Sequence, residues 1–107
     1  MNYKKRIIDT LSPLAIPVHF LSYSGNAETY ITFFCYNEQG EYWAENKEIA
    51  TAIYVQIDIW SKTDYTALEE QVKERLETAG FSRTTCSDYY ESDTKIYHKA
   101  MRFIYVN

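Results

Sequence analysis

Glycine, proline, cysteine and histidine are all scarce in this chain of 107 residues, at three, two, two and two. Gly25, Gly40 and Gly80 each sit where a turn or a helix end is expected, and none belongs to a GxGxxG or P-loop pattern. A phosphate cradle, and with it a nucleotide-dependent enzyme, is therefore not expected. Cys35 and Cys86 lack the CxxC spacing of a zinc or redox site, and so sparse a pair does not suggest a secreted disulfide framework, so a reduced intracellular setting is expected. His19 and His98 fall in strand-like segments without HExxH or paired-ligand spacing, and no metal or cofactor is expected. No apolar run approaches the ~20 residues of a membrane span. The basic start, Lys4, Lys5 and Arg6, is followed only by short apolar pieces before Pro13, which is not a signal-peptide pattern. Positive charge is also lacking: 15 acidic against 11 basic residues give a net charge of −4, so whole-domain attraction to nucleic acid or anionic membrane is not expected. DNA contact would be local or passive.

Aromatic residues, by contrast, are abundant. Eleven Tyr, five Phe and two Trp supply large, rigid, amphipathic side chains of the kind enriched in cores and at protein interfaces. The length fits a single domain over 1–107, without repeats or a Gly/Ser/Pro linker. Tyr3, Ile7, Ile8 and Leu11 recur at helical spacing and Pro13 disfavours continuation, which predicts a helix over 3–12 with a basic exposed face. Val18 to Tyr23 reads as a strand closed by a turn at Ser24, Gly25 and Asn26. Thr29 to Tyr36 reads as a second, with Ile31, Phe33 and Cys35 on one face and Tyr30, Thr32, Phe34 and Tyr36 on the other.

The hydrophobic pattern lapses over 37–48, a loop or an extended hairpin with four glutamates against one lysine. Over 49–60, Ile53, Val55, Ile57 and Ile59 alternate with Tyr54, Gln56, Asp58 and Trp60, the period of a half-buried strand. Leu68, Val72, Leu76 and Ala79 predict a helix ending at Gly80, with Glu69 and Lys73 as an i,i+4 pair on its wet side. Phe81 to Cys86 and Lys95 to Val106 complete the order αβββαββ, hence an α+β fold: a largely antiparallel sheet of about five strands with two helices packed on one face.

Catalytic candidates are few. Cys86, His98 and Asp58 offer a nucleophile, a base and an orienting acid only if folding brings them together, and chance supplies such trios in any chain of this size. Asp58 reads first as a member of its strand's polar face, beside Gln56 and Tyr54. No catalytic role is assigned. The second strand and the last strand are apolar on both sides, more than two short helices can cover, so a neighbouring subunit is the economical cover. Tyr54 and Trp60 are expected as anchors of that interface. In the acidic segment, Tyr42 and Trp43 are expected to pack on a neighbouring subunit or partner, while Glu38, Glu41, Glu45 and Glu48 stay in solvent or line a DNA path.

The strand Tyr54 to Ser61 (YVQIDIWS), the helix that follows it to Gly80, and the closing segment Thr94 to Phe103 (TKIYHKAMRF) together resemble the tail terminator, or tail completion, proteins of long-tailed phages and prophages. The resemblance spans about residues 29–107 and consists of a VQxDxW strand, an amphipathic helix ending in Gly and a YHxxxRF strand. It implies an α+β subunit of a hexameric ring that assembles in the host bacterial cytoplasm and becomes part of the virion. Such a ring caps the tail-tube protein, stops tail polymerisation and offers the surface for a head-closure protein, with DNA passing through passively. A different head–tail connector or head-closure protein is the alternative that this resemblance leaves open, and a small enzyme is a third reading.

Overall fold

The structure, a computed structural model, describes residues 2–43 and 47–106, and the side chains of all of these except 41–43 and 47–49. Helix α1 (Tyr3–Leu11) is followed by a single 3-10 turn (Ser12–Leu14), strands β1 (Val18–Phe20), β2 (Thr29–Trp43) and β3 (Lys47–Ser61), helix α2 (Thr66–Thr78), and strands β4 (Ser82–Glu91) and β5 (Ile96–Val106). Two helices and one mixed, mostly antiparallel sheet of five strands make the fold α+β. In space the strands lie in the order β1-β2-β3-β5-β4, which differs from their order in the chain. β5 enters beside β3 and leaves β4 at one edge, while β1, parallel to its neighbour β2, forms the other.

Residues paired across antiparallel strands share a sheet face. Ile31 pairs with Ile59, Phe33 with Ile57, Val55 with Phe103 and Ile57 with Met101. These residues form one buried cluster with Ile7 and Leu11 of α1, Val72 and Leu76 of α2, and Phe81. Alternation along β3 thus converts the apolar set Ile53, Val55, Ile57 and Ile59 into the middle of the core. α1 fully buries only Ile7 and Leu11 of the four residues expected to face inward, and Ile8 is exposed. Arg6 fastens α1 to the end of α2, its Nη2 donating to the Ala79 carbonyl at 2.7 Å.

Three boundaries depart from the sequence reading. β1 stops at Phe20, not Tyr23, because Leu21 takes a left-handed conformation (φ +69°). Tyr23 lies instead tilted against Tyr30, ring centres 4.5 Å apart, and its hydroxyl accepts the Ala27 amide. β4 runs to Glu91, which shortens the expected polar turn. The sequence leaves the segment 37–48 open between loop and hairpin; its described residues, 37–43 and 47–48, are drawn into strands: β2 and β3 pair from Thr29 with Ser61 out to Trp43 with Lys47, with register shifts at Cys35/Asn37 and Glu41/Tyr42. β5 accompanies β3 only as far as Ala52. Among the described residues, the ladder from Gly40 with Thr51 outward is therefore a two-stranded arm. It lengthens the molecule to 53 × 26 × 24 Å. The radius of gyration is 15.1 Å, against about 13 Å for a compact domain of this length.

α2 ends as its sequence predicts. The Phe81 amide donates to the Leu76 carbonyl at 2.9 Å and the Gly80 amide to Glu77 at 3.0 Å, a Schellman arrangement with Gly80 at φ +102°. A β-carbon on Gly80 would also meet Tyr105 Cε1 at 3.2 Å. Gly80→Ala is expected to cost about 1–2 kcal/mol, from the left-handed backbone and that close approach. A denaturant melt with an unchanged midpoint would contradict it.

Candidate functional site

Two side-chain networks stand out, one on each face of the sheet. The face opposite the core carries the alternate residues of β3 and β5, and their register brings the polar members of both strand patterns together. Trp60 pairs with His98, and Gln56 with Arg102. His98 Nε2–H donates to Asp58 Oδ1 at 2.6 Å, Gln56 Nε2 donates to the same oxygen at 2.8 Å, and Arg102 Nε donates to Gln56 Oε1 at 3.1 Å. The Trp60 ring stacks on His98 at 3.8 Å and 11°, while its Nε1–H donates to Thr32 Oγ1 at 2.9 Å. Tyr30 extends the stack at 6.2 Å and Tyr89 covers the far side of His98 at 5.5 Å. The Arg102 guanidinium lies 4.4 Å from the centre of the Tyr36 ring. VQxDxW and YHxxxRF are thus two halves of one cross-strand array. At 4% exposure Asp58 is buried by that array. An acid without a charged Lys or Arg partner stays in such a place because its oxygen is hydrogen bonded.

The array does not assemble the catalytic trio weighed from sequence. Asp58 and His98 meet, but Cys86, paired in register with Met101, packs against the core on the opposite side. Ser87 lines the same shallow hollow of about 640 Å³ as His98, Tyr89 and Arg102, without hydrogen bonding to His98. Among the described residues no nucleophilic side chain is hydrogen bonded to the dyad, whose contacts run to Gln56 and Trp60 within the sheet. Its aromatic edges and hydrogen-bonded polar groups suit it to packing against protein.

Sequence reasoning missed the second network. Lys99 falls between Tyr97 and Met101 on the core side of β5, so its cation is carried inward; the signal was a lysine in phase with an apolar face. It is 8% exposed. Nζ lies 3.0 Å from Glu69 Oε1 and donates to Asp88 Oδ2 at 3.1 Å. Lys73 donates to Glu69 Oε2 at 2.9 Å, and the Tyr65 hydroxyl to Asp88 Oδ1. The Glu69–Lys73 pair is therefore not on the wet side: its side chains are only 14% and 17% exposed. Burial opposes the charge on Glu69, yet the hydrogen bonds from Lys73 and Lys99 outweigh it and hold its pKa below the ordinary value. The Tyr65 hydrogen bond, helped by Lys99, does the same for Asp88 against a smaller burial effect. Burial works against the Lys99 cation too, but Glu69 and Asp88 raise its pKa overall. Burial and then the bond to Asp88 push the Tyr65 hydroxyl up to about 12.

These groups border a hollow of about 530 Å³ at the start of α2. Every shift deepens the charge state that the group already holds at neutral pH, the reverse of what proton transfer needs. The network ties α2 to β4 and β5. Among the described residues no set of three or more His, Cys, Asp or Glu is placed to hold a metal ion, and no helix is long and apolar enough to cross a membrane.

Of the residues expected at an interface, Glu38 is exposed on β2 at the base of the arm, Tyr54 is half-buried and tilted against Tyr36 at 6.0 Å, and Trp60 belongs to the stack. Glu45 and the side chains of Glu41, Tyr42, Trp43 and Glu48 lie outside the described residues. No protein-family model and no curated protein matches the chain.

Proposed function

We propose that this protein is a structural subunit of a phage or prophage tail, a tail terminator whose copies close into a ring, a hexamer as in the family it resembles. The ring caps the tail-tube protein, stops its polymerisation and presents the joining surface to a head-closure protein, with no catalytic step. One observation carries the reading: β2 and β3 continue past β5 as a two-stranded arm. An isolated hairpin is at best marginally stable in water, so an arm of this kind gains its order from a neighbour. In this reading both helices cover one face of the sheet, as their share of the core cluster supports. The aromatic array stiffens the other face. The segment 38–48 carries Glu38, Glu41, Glu45 and Glu48, and the whole chain a charge of −4, so the ring repels phosphate and DNA passes without sticking.

The test is genetic and visual. Lysates of the phage or induced prophage carrying a null allele of this gene should contain filled heads apart from overlong tails by electron microscopy. Tails of normal length lacking only heads would point to a head-closure ring instead, and intact virions would end both readings.

A further inference from the structure

We infer that the copies join head to tail, the β4 edge of one copy meeting the β1–β2 edge of the next, with Leu21 as the apolar knob of the contact. The inference rests on the ring reading and deepens it. The large apolar side chains left exposed on the sheet gather mainly at its two opposite sides: Leu21 and Tyr36 by β1 and β2, and Tyr89, Tyr90 and Tyr97 on β4 and β5. Two unlike patches on opposite edges make a heterologous contact, the kind that repeats around a ring.

Strand polarity agrees. β2 is antiparallel to β3, β3 to β5 and β5 to β4, so β4 runs opposite to β2. A copy rotated about an axis along the strands keeps that sense, and its β2 continues the antiparallel alternation beside β4. Both edges have room. β1 accompanies β2 only over Ile31–Phe33, and among the described residues no strand flanks β2 on that side from Phe34 onward, or β4 on its outer side. Open edges of this kind are templates for strand addition. The charges match as well. Arg83 pairs with Phe103 and Phe103 with Val55, placing it two residues along the sheet from the level of Glu38, which pairs with Ile53 on the far side. Both side chains are exposed.

Leu21 is the sharpest sign. It is 63% exposed and left-handed at φ +69°, a backbone that leucine rarely adopts, yet it is held there: its amide donates to the Phe33 carbonyl at 2.9 Å, and the Ser22 amide to Phe20 at 2.8 Å. Within one copy, glycine would serve this position better, and packing against the core cluster does not repay the leucine. A neighbour's surface does.

Leu21→Gly and the charge swaps Arg83→Glu and Glu38→Lys test this, read by light scattering across a dilution series and by denaturant melts of the monomer. Leu21→Gly should raise the concentration at which the ring dissociates at least tenfold while the monomer's denaturant midpoint holds or rises. Each charge swap should weaken assembly. An equimolar mixture of the two should restore it, because every contact in an alternating ring then joins opposite charges. If the unmodified protein stays monomeric at high concentration, the ring reading itself falls. If it forms rings and Leu21→Gly assembles equally well, or the mixed swaps fail to restore assembly, the ring stands and this edge contact is overturned.

Discussion

Ile57→Ala should lower the stability of the protein by about 2–5 kcal/mol, the range for truncating a fully buried aliphatic side chain. Ile57 has no exposed surface and sits at the middle of the sheet, paired with Phe33 on one side and Met101 on the other. The three carbons lost, two methyls and a methylene, leave a void walled by strands on both flanks, which cannot close over it without breaking register. β3 pairs with β2 and β5 over the same stretch, so the site is among the least able to relax. The denaturant midpoint should fall at unchanged slope, since the surface exposed on unfolding barely changes. A loss under about 0.5 kcal/mol would be that of a surface site and would overturn the placement of Ile57 in the core.

That placement was legible in the sequence because a strict period of two leaves a strand few alternatives: once Ile53, Val55, Ile57 and Ile59 share a face, burial chooses that face. Gly80 was legible for a similar reason, since the left-handed residue after a helix favours glycine. The lower end of β1 was not. Val18 to Tyr23 has the composition of a strand throughout, and only the hydrogen bond from the Leu21 amide to the Phe33 carbonyl and the contact of Tyr23 with Tyr30 break it. The reach of the β2–β3 arm was hidden by its acidic composition, because pairing in a hairpin satisfies backbone groups whether or not the side chains are apolar.

The candidate site divides in the same way. Asp58 and His98 were both noticed, and the pairing of Trp60 with His98 brings them into contact, but the face on which Cys86 falls depends on the β4 register shift between Arg83 and Cys86. One extra residue at a bulge reverses which side chains meet across a sheet. Lys99 went unnoticed because the strand around it reads as apolar, and its partners Glu69 and Asp88 come from an element before β4 and from β4 itself.

Those partners make Lys99→Met the second large effect expected. Methionine has similar length and packs well on the core side of β5, yet it strands Glu69 with Lys73 as its remaining cation and Asp88 with the Tyr65 hydroxyl. Removing one member of a buried ion pair costs about 3–5 kcal/mol. Lys73 stays in place and the Asp88 side chain is 60% exposed, so the loss here should be about 2–4 kcal/mol. Replacing Glu69 by Met in the same chain should recover most of it, because Lys73 can then turn to water and to Glu70, 4.0 Å away. The pH dependence identifies the cause. Glu69 and Asp88 have folded pKa values below their ordinary ones, so the stability they contribute is present above the carboxylate range and is lost as pH falls through it. Lys99 and Tyr65 have raised values, so their contribution is complete below pH 10 and is lost as pH climbs toward about 12. Denaturant melts from acid to alkaline pH should thus show a plateau that falls at both ends, and in Lys99→Met both slopes should flatten while the plateau drops. A variant as stable as the parent at neutral pH, with both slopes intact, would mean that Lys99 is hydrated and that the three elements are held together by apolar packing alone.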